Sequence, residues 1–466
     1  MDWMKQAQQR QDELIGNLKE LVQINSVLDE STASSDAPFG EGPKKALDWM
    51  LQQGKEQGLK TKLIDNIVGY IEMGEGEELV GILCHVDVVP AGSDWIHPPF
   101  GAVIEDGKLF GRGSIDDKGP TMAAWLAMKM VKDAGIKLDR RVRMIIGSDE
   151  ESGFRCVKRY MEKEEMPTLG FAPDADFPII NAEKGIAELS FHQQARSQEN
   201  EQLVSFHAGH RINMVPDFAE AIVRHVPEEF EVTFNSYLKI SELEGTIEKN
   251  TDGFKLSIKG RSAHAMEPNA GINAAVKLAQ YLNTVFTTPQ SKEFTQFLVT
   301  GFANESRGHA LGLAFTDEIS GDTTLNAGVV SFEEGKGGQI DVSMRYSVSY
   351  PYEEKITAAS NIVAKLGFAL DVVDDSKPHY VDPQEELIQK LSKVYERNTG
   401  EKAELLSIGG GTYARELKTG VAFGMLFPGE PDLAHQADEY VVIENLVKGA
   451  AIYADAIVEL GTKKSK

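Results

Sequence analysis

Up to about residue 184 the chain alternates amphipathic helical patterns with short apolar strands, and after Pro383 the same alternation resumes beyond a long segment of different character. A helix is predicted around Lys44–Gly58, then the strand Leu79–Leu83, a helix after Gly119, the strand Arg143–Ile146, a helix near Cys156–Lys163 and the strand Leu169–Ala172. The resumed pattern comprises the helix EELIQKLSKVYERN, the strand VAFGMLF and a closing helix near Val441–Leu460. Strands fed by alternating helices bury both faces, so βα units of this kind pack as a mostly parallel sheet covered by helices.

The intervening segment carries FKLSIKG, TTLNAGVVSF and QIDVSMRYSVSY, which alternate polar and apolar residues with the period of a half-exposed strand. The helical patterns INAAVKLAQYLNTVF and EKITAASNIVAKLGF punctuate them. The expected fold is therefore α/β with an inserted α+β domain. The first domain is discontinuous, residues 1–184 and 384–466, and the insertion, residues 185–383, is long enough for two α+β halves. A length of 466 residues agrees, since a single core rarely grows so large.

Composition excludes several classes of function. A formal charge of −24 argues against nucleic acid, because a polyphosphate partner needs a basic face and no Lys/Arg stretch supplies one. The N-terminal MDWMKQAQQRQDELIGNLKELVQI is polar and helical in spacing, unlike a signal peptide. No segment has the roughly 18 uninterrupted apolar residues of a membrane span, so a cytoplasmic address is expected. Two cysteines, Cys84 and Cys156, are too few for a disulfide framework and read as buried thiols.

The chemistry concentrates at strand ends. Gly81-Ile-Leu-Cys-His85-Val-Asp87 is an apolar strand closing in His-x-Asp, and residues two apart in a strand point the same way, so Asp87 can reach the His85 imidazole. A metal-ligating histidine usually gives its second N–H to such a carboxylate; taken alone, a structural histidine is the better reading. Asp116-Asp117 follow at a glycine-flanked turn before a helix, where an acidic N-cap would explain one aspartate and not the other. Asp149-Glu150-Glu151 end another apolar strand, Asp174 and Asp176 a third, and His435 follows VAFGMLF. Open α/β sheets gather their sites at this edge. Clustered carboxylates repel one another and raise their own pKa values, a cost that a divalent cation removes, and a mixed N/O donor set suits hard or borderline metals.

Taken in order, HVDVVPAG, GRGSIDDKGP, GSDEESG, PDADFPIINAEKG, SAHAMEPNAGINA, SIGGGTYAR and HQADEY resemble the zinc aminoacylase/carboxypeptidase/dipeptidase superfamily over nearly the whole chain, and its bacterial PepV-type dipeptidase branch most of all. The resemblance implies two divalent ions, zinc first with manganese or cobalt as alternatives. His85 and Asp174 would hold one, Glu151 and His435 the other, and Asp116 would bridge both. It implies that Asp87 orients His85, that Glu150 is the general base toward a metal-bridged water, and that a cis peptide joins Asp116 to Asp117. The insertion becomes a lid whose His264 stabilises the oxyanion with Asn213 assisting. Arg345 and the loop Gly410, Gly411 and Tyr413, at a helix start, would receive a substrate carboxylate. Without the resemblance, His264 reads as a surface histidine and Arg345 as a solvent-facing sheet residue.

The function expected is that of a dipeptidase on unblocked dipeptides, working as a monomer because a doubled insertion could cover the surface through which relatives with shorter insertions dimerise. An N-acyl amino acid deacylase would use the same metal motifs. A non-catalytic binding protein on the same fold would normally have lost a ligand or the base, and here all are present.

Overall fold

In the computed structural model the chain is described over residues 1–196, 200–251 and 253–463. It divides into two compact units, one comprising Met1–Ala182, Tyr380–Leu406 and Gly411–Lys466, the other Glu183–His379 with Ser407–Gly410. The short return segment joins the second unit because the Lys184 N–H donates to the Ile408 carbonyl at 3.0 Å and Arg345 Nη1 to the Gly409 carbonyl at 3.1 Å. Gly410, which the sequence grouped with the first domain, thus falls within the second unit.

The first unit is built on a sheet whose strands run Lys60–Ile64, Val68–Met73, Arg141–Gly147, Leu79–His85, Leu169–Ala172, Gly420–Ala422, Ile179–Glu183 and His379–Tyr380, with Leu405–Ile408 paired beside Ile179–Glu183. From Arg141–Gly147 to Gly420–Ala422 neighbouring strands are parallel; Lys60–Ile64 and Val68–Met73 add an antiparallel edge. The α/β sheet expected from the alternation is there, with its parallel centre buried as such strands require. Val80, Ile82 and Cys84 face one core, with helices Glu41–Glu56, Lys118–Asp133 and Ile443–Gly461, while Leu83 faces a smaller one with Cys156, Val157, Tyr160 and Tyr413.

Helix Lys118–Asp133 is buried from Lys118 to Val131. Ala123, Ala124 and Ala127 keep its surface low, as Ala450, Ala451 and Ala454 do on helix Ile443–Gly461, which packs against it. Leu446, Ile452, Ile457 and Leu460 are wholly buried there, each worth about 1.5–3 kcal/mol relative to exposure. The C-terminal helix is therefore part of the core that carries the N-terminal strands. At the start of Lys118–Asp133, Lys118 Nζ donates to the carbonyls of Leu21 and Ile24 at 3.1 and 2.8 Å, tying this helix to the chain that leaves the end of helix Gln11–Val22. Burial pushes that ammonium down to about 7.

One predicted strand is broken. VAFGMLF forms Gly420–Ala422 and Met425–Leu426, interrupted at Gly424, which has φ +80°. A Cβ at Gly424 would stand 2.3 Å from Phe177 Cζ, so the chain turns there against an aromatic ring that no side chain could approach.

The second unit is an eight-stranded antiparallel sheet in the order Gly245–Asn250, Gly253–Lys259, Phe218–Val223, Leu203–Ala208, Thr324–Glu333, Gly337–Tyr346, Gly185–Gln193 and Phe368–Ser376. Helices Phe230–Ile240, Ala274–Val285, Pro289–Phe302 and Tyr352–Lys365 contribute to the core that covers it. The pairing of Leu203–Ala208 with Thr324–Glu333 joins the earlier and later strands into one sheet. Among the described residues no helix is long and apolar enough to cross a membrane.

Candidate metal centre

Parallel strands end at a common edge, and three of them deliver the candidate ligands. His85 closes Leu79–His85 and lies opposite Gly147, the last residue of Arg141–Gly147; Glu150 and Glu151 follow that glycine. Leu169–Ala172, hydrogen-bonded to the other side of Leu79–His85, is followed by Asp174. Asp116 comes from the turn before helix Lys118–Asp133, and His435, with φ +63°, from the loop after Met425–Leu426.

Asp116 is the centre of the cluster. Its Oδ1 lies 3.1 Å from His85 Nε2 and its Oδ2 lies 3.0 Å from His435 Nε2. His435 Nε2 is also 3.0 Å from Glu151 Oε2, and His85 Nε2 is 3.6 Å from Asp174 Oδ2. The donor atoms of His85, Asp116 and Glu151 all fall within 4.8 Å of one another, as do those of His85, Asp117 and Asp174. His85 is wholly buried, whereas the His435 side chain is 51% exposed and stands at the lip. A cis peptide joins Asp116 to Asp117, as the resemblance implied.

The orientation of His85 departs in detail from the sequence expectation. Its Nδ1 lies 3.0 Å from the main-chain carbonyl of Asp87, closer than the 3.6 Å to the Asp87 carboxylate. The carboxylate turns to the neighbouring segment instead, its Oδ2 accepting the Glu151 N–H at 3.1 Å, while its Oδ1 is buried without a hydrogen-bond partner. Asp87 therefore fixes both the tautomer of one candidate ligand and the main chain of another.

The electrostatics fit a cation site. Burial, then repulsion from Asp116, pushes the Glu151 carboxyl up to about 7, against relief from His435. Burial also dominates at Asp174, pushed up to about 6, and at Glu150, held well above the carboxylate range. Burial works against charge on His85 and His435, yet the surrounding carboxylates outweigh it and raise both imidazoles. The charges of these acids thus favour protons on the two rings. Divalent ions would displace those protons, free the imidazole lone pairs and compensate the carboxylates together.

Two residues do other work than the sequence suggested. Asp117 occupies the N-cap position, but its side chain does not cap the helix. Its Oδ2 instead accepts the His85 N–H and the Thr121 hydroxyl, both at 3.0 Å, bracing the strand end. Its Oδ1 is buried without a hydrogen-bond partner, and burial and Asp174 push the carboxyl up. Tyr413, expected at the substrate, turns inward: it is 1% exposed, its hydroxyl lies 2.8 Å from Cys156 Sγ, and its ring meets His85 edge-on at 6.1 Å. Gly147 permits this, since a Cβ there would stand 2.2 Å from the Tyr413 hydroxyl. The expected helix start is a four-residue 3-10 turn, Tyr413–Glu416, whose Ala414 N–H is already taken by Oγ1 of its N-cap Thr412; Gly411 lies one residue before that cap.

In the second unit, Asn213 and His264 are neighbours on paired segments. The Ala265 N–H donates to the Asn213 carbonyl at 2.8 Å, and Met214 and His264 form an isolated bridge. Asn326 Nδ2 holds the first segment through the carbonyls of Ile212 and Met214, at 3.0 and 2.8 Å. His264 is half-buried and its Nδ1 accepts the Met266 N–H at 3.2 Å. Arg345 is 5% exposed, so it is not the solvent-facing sheet residue that its local sequence suggested.

The profile of peptidase family M20/M25/M40 matches residues 81–459. "Putative dipeptidase YtjP" of Bacillus subtilis (strain 168) is 47% identical over 464 residues, covering 99% of this chain and 100% of that protein. Human carnosine dipeptidase 1 superposes with a TM-score of 0.57 at 15% identity, covering 99% of both chains. The di-peptidase Dug1p from Saccharomyces cerevisiae gives 0.58 at 13% identity, covering 100% of this chain and 99% of that one. The two solved structures attest the fold.

Proposed function

The chain belongs to peptidase family M20/M25/M40, and from that membership we propose that it hydrolyses unblocked dipeptides with the help of two divalent cations, zinc in the first place and manganese or cobalt as substitutes. Membership and the full-length relative make it a metal-dependent peptidase of dipeptidase type acting on small peptides. The two-cation reading is supported above all by Asp116, whose two carboxylate oxygens each face one imidazole, His85 on one side and His435 on the other. A carboxylate so flanked is suited to bridge.

His85 and Asp174 would hold one ion, Glu151 and His435 the other. Ions held there would supply Lewis acidity, polarising the scissile carbonyl and making the attacking water more acidic. Glu150 would take a proton from the attacking water and deliver it to the leaving amine, as a carboxylate whose pKa is raised and that stands beside a candidate ligand is suited to do. Asp87 keeps His85 in the tautomer that presents Nε2 to the cluster. His264 stabilises the oxyanion with Asn213 assisting. Arg345 and the main chain of Gly410, Gly411 and Tyr413 receive the substrate carboxylate, the Tyr413 side chain being committed elsewhere.

A substrate panel tests this against the deacylase reading. Dipeptides with free amino and carboxyl ends should be cleaved well, and N-acetyl dipeptides and tripeptides poorly. Efficient deacetylation of N-acetyl amino acids would replace the dipeptidase proposal.

We also propose that the chain acts as a monomer, each copy using its own His264. Mixing inactive His264→Ala and Glu150→Ala proteins should then restore nothing. Recovery of activity in the mixture would mean that the histidine is supplied by a second copy.

A further inference from the structure

Arg112 and Glu439 have no task in the chemistry above, yet they are among the most deeply buried charged residues of the first unit, 1% and 0% exposed. Arg112 Nη1 donates to Glu439 Oε2 at 2.7 Å. The same oxygen accepts the Gly113 N–H at 3.1 Å, while Oε1 accepts the N–H groups of Ile115 and Asp116 at 2.9 and 3.3 Å. The Gly111 N–H returns a bond to the Glu439 carbonyl at 2.9 Å. One side chain, four residues after His435, thus takes up the main chain of the loop that ends in Asp116.

Arg112 extends the connection to a third segment. Its Nη2 reaches the carbonyls of Pro90 and Ala91 at 3.5 and 3.4 Å, and its guanidinium lies 5.2 Å from the centre of the Trp95 ring. Asp438 binds that segment too, accepting from the N–H groups of Ile96 and His97 at 3.1 and 2.9 Å. Residues 85–97, 111–116 and 435–439, which carry His85, Asp116 and His435, therefore meet around one buried ion pair.

Stability alone explains this pair poorly, because desolvation offsets most of the attraction between buried charges and packed apolar residues often do as well. We propose that Arg112 and Glu439 are positioning residues for the cation site, setting the placement of the Asp116 and His435 side chains relative to each other. The proposal rests on the two-cation reading. His85 and Asp174 stand at the ends of core strands, whereas Asp116 and His435 stand on loops that converge on Glu439. The ion held by Glu151 and His435 therefore depends on the pair more than its neighbour does.

Glu439→Gln keeps an oxygen for the Ile115 and Asp116 N–H groups but strands the charge of Arg112. The double variant Arg112→Gln/Glu439→Gln removes the stranded charge and guards against a simple failure to fold. Metal-free wild type and both variants are titrated with Zn2+ by calorimetry and melted without metal, with His435→Ala identifying which step belongs to its ion. Wild type should take up two ions. The double variant should melt close to wild type yet bind the His435 ion roughly 10–100-fold more weakly, the range found when outer partners of metal ligands are removed, with a smaller loss at the other ion. Folded variants that bind both ions as tightly as a two-ion wild type would overturn the positioning role alone. A wild type that takes up no pair of ions would remove the two-cation reading and this proposal with it.

Discussion

Glu150→Ala should keep both cations and lose turnover by roughly 10²–10⁴, the contribution of general acid–base catalysis. The reasoning separates a base from a ligand. Glu150 and Glu151 are adjacent at one strand end, but only the Glu151 carboxylate lies against a ring of the cluster, 3.0 Å from His435. Glu150 is half-buried without being shared in that way, and its carboxyl is pushed well up by desolvation, then by the charges of Asp174 and Glu151, against relief from His85. Compensating those two carboxylates lets Glu150 ionise and accept a proton, the role in which alanine cannot replace it. Metal content by mass spectrometry, read beside kcat, checks both halves of the expectation. Near-normal kcat would refute the assignment of the base, and loss of bound metal would make Glu150 a ligand.

Much of this site was legible from residue order because the parallel sheet converts order into place. An apolar strand ending in His-x-Asp, and others ending in Asp149-Glu150-Glu151 and Asp174, must open on the same edge once their strands are parallel neighbours. The discontinuous organisation was legible for a related reason, since strand-period alternation replaces the helix-and-strand pattern and then gives way to it again.

What escaped depends on contacts between residues distant in sequence. Nothing local to Arg112 announces Glu439, 327 residues away, and nothing in GGGTYAR announces that Tyr413 turns toward Cys156. A cap was expected to explain one of Asp116 and Asp117, because an aspartate before a helix usually is one; Asp117 stands at that position, but a register that brings the His85 N–H within 3.0 Å of its carboxylate overrides the preference. Arg345 looked exposed because strand alternation says which residues share a face but not whether that face is covered. The break at Gly424 was hidden inside an apolar run, and only the Phe177 ring explains it.

Removal of metal should have the largest effect of all. Chelation should abolish hydrolysis and lower the melting temperature, and added Zn2+ should restore both. The stability effect follows from the same charges as the chemistry. Without cations, Asp116, Glu151 and Asp174 lie within 3.0–3.6 Å of the His85 and His435 rings, whose uptake of protons their charges favour. A cation that binds the folded chain and not the unfolded one stabilises it by mass action, about 2.7 kcal/mol at a free concentration a hundred times Kd. His435→Ala should reproduce part of this, weakening one ion and leaving His85 and Asp174 to hold the other, whereas Glu150→Ala should leave metal-dependent melting unchanged. The two variants therefore divide what chelation removes all at once: His435 moves the melting curve and the activity together, and Glu150 moves the activity alone. Full hydrolysis by protein with no bound metal would refute the mechanism. A melting temperature indifferent to chelation would refute the claim that cations compensate the buried carboxylates, even if activity were lost.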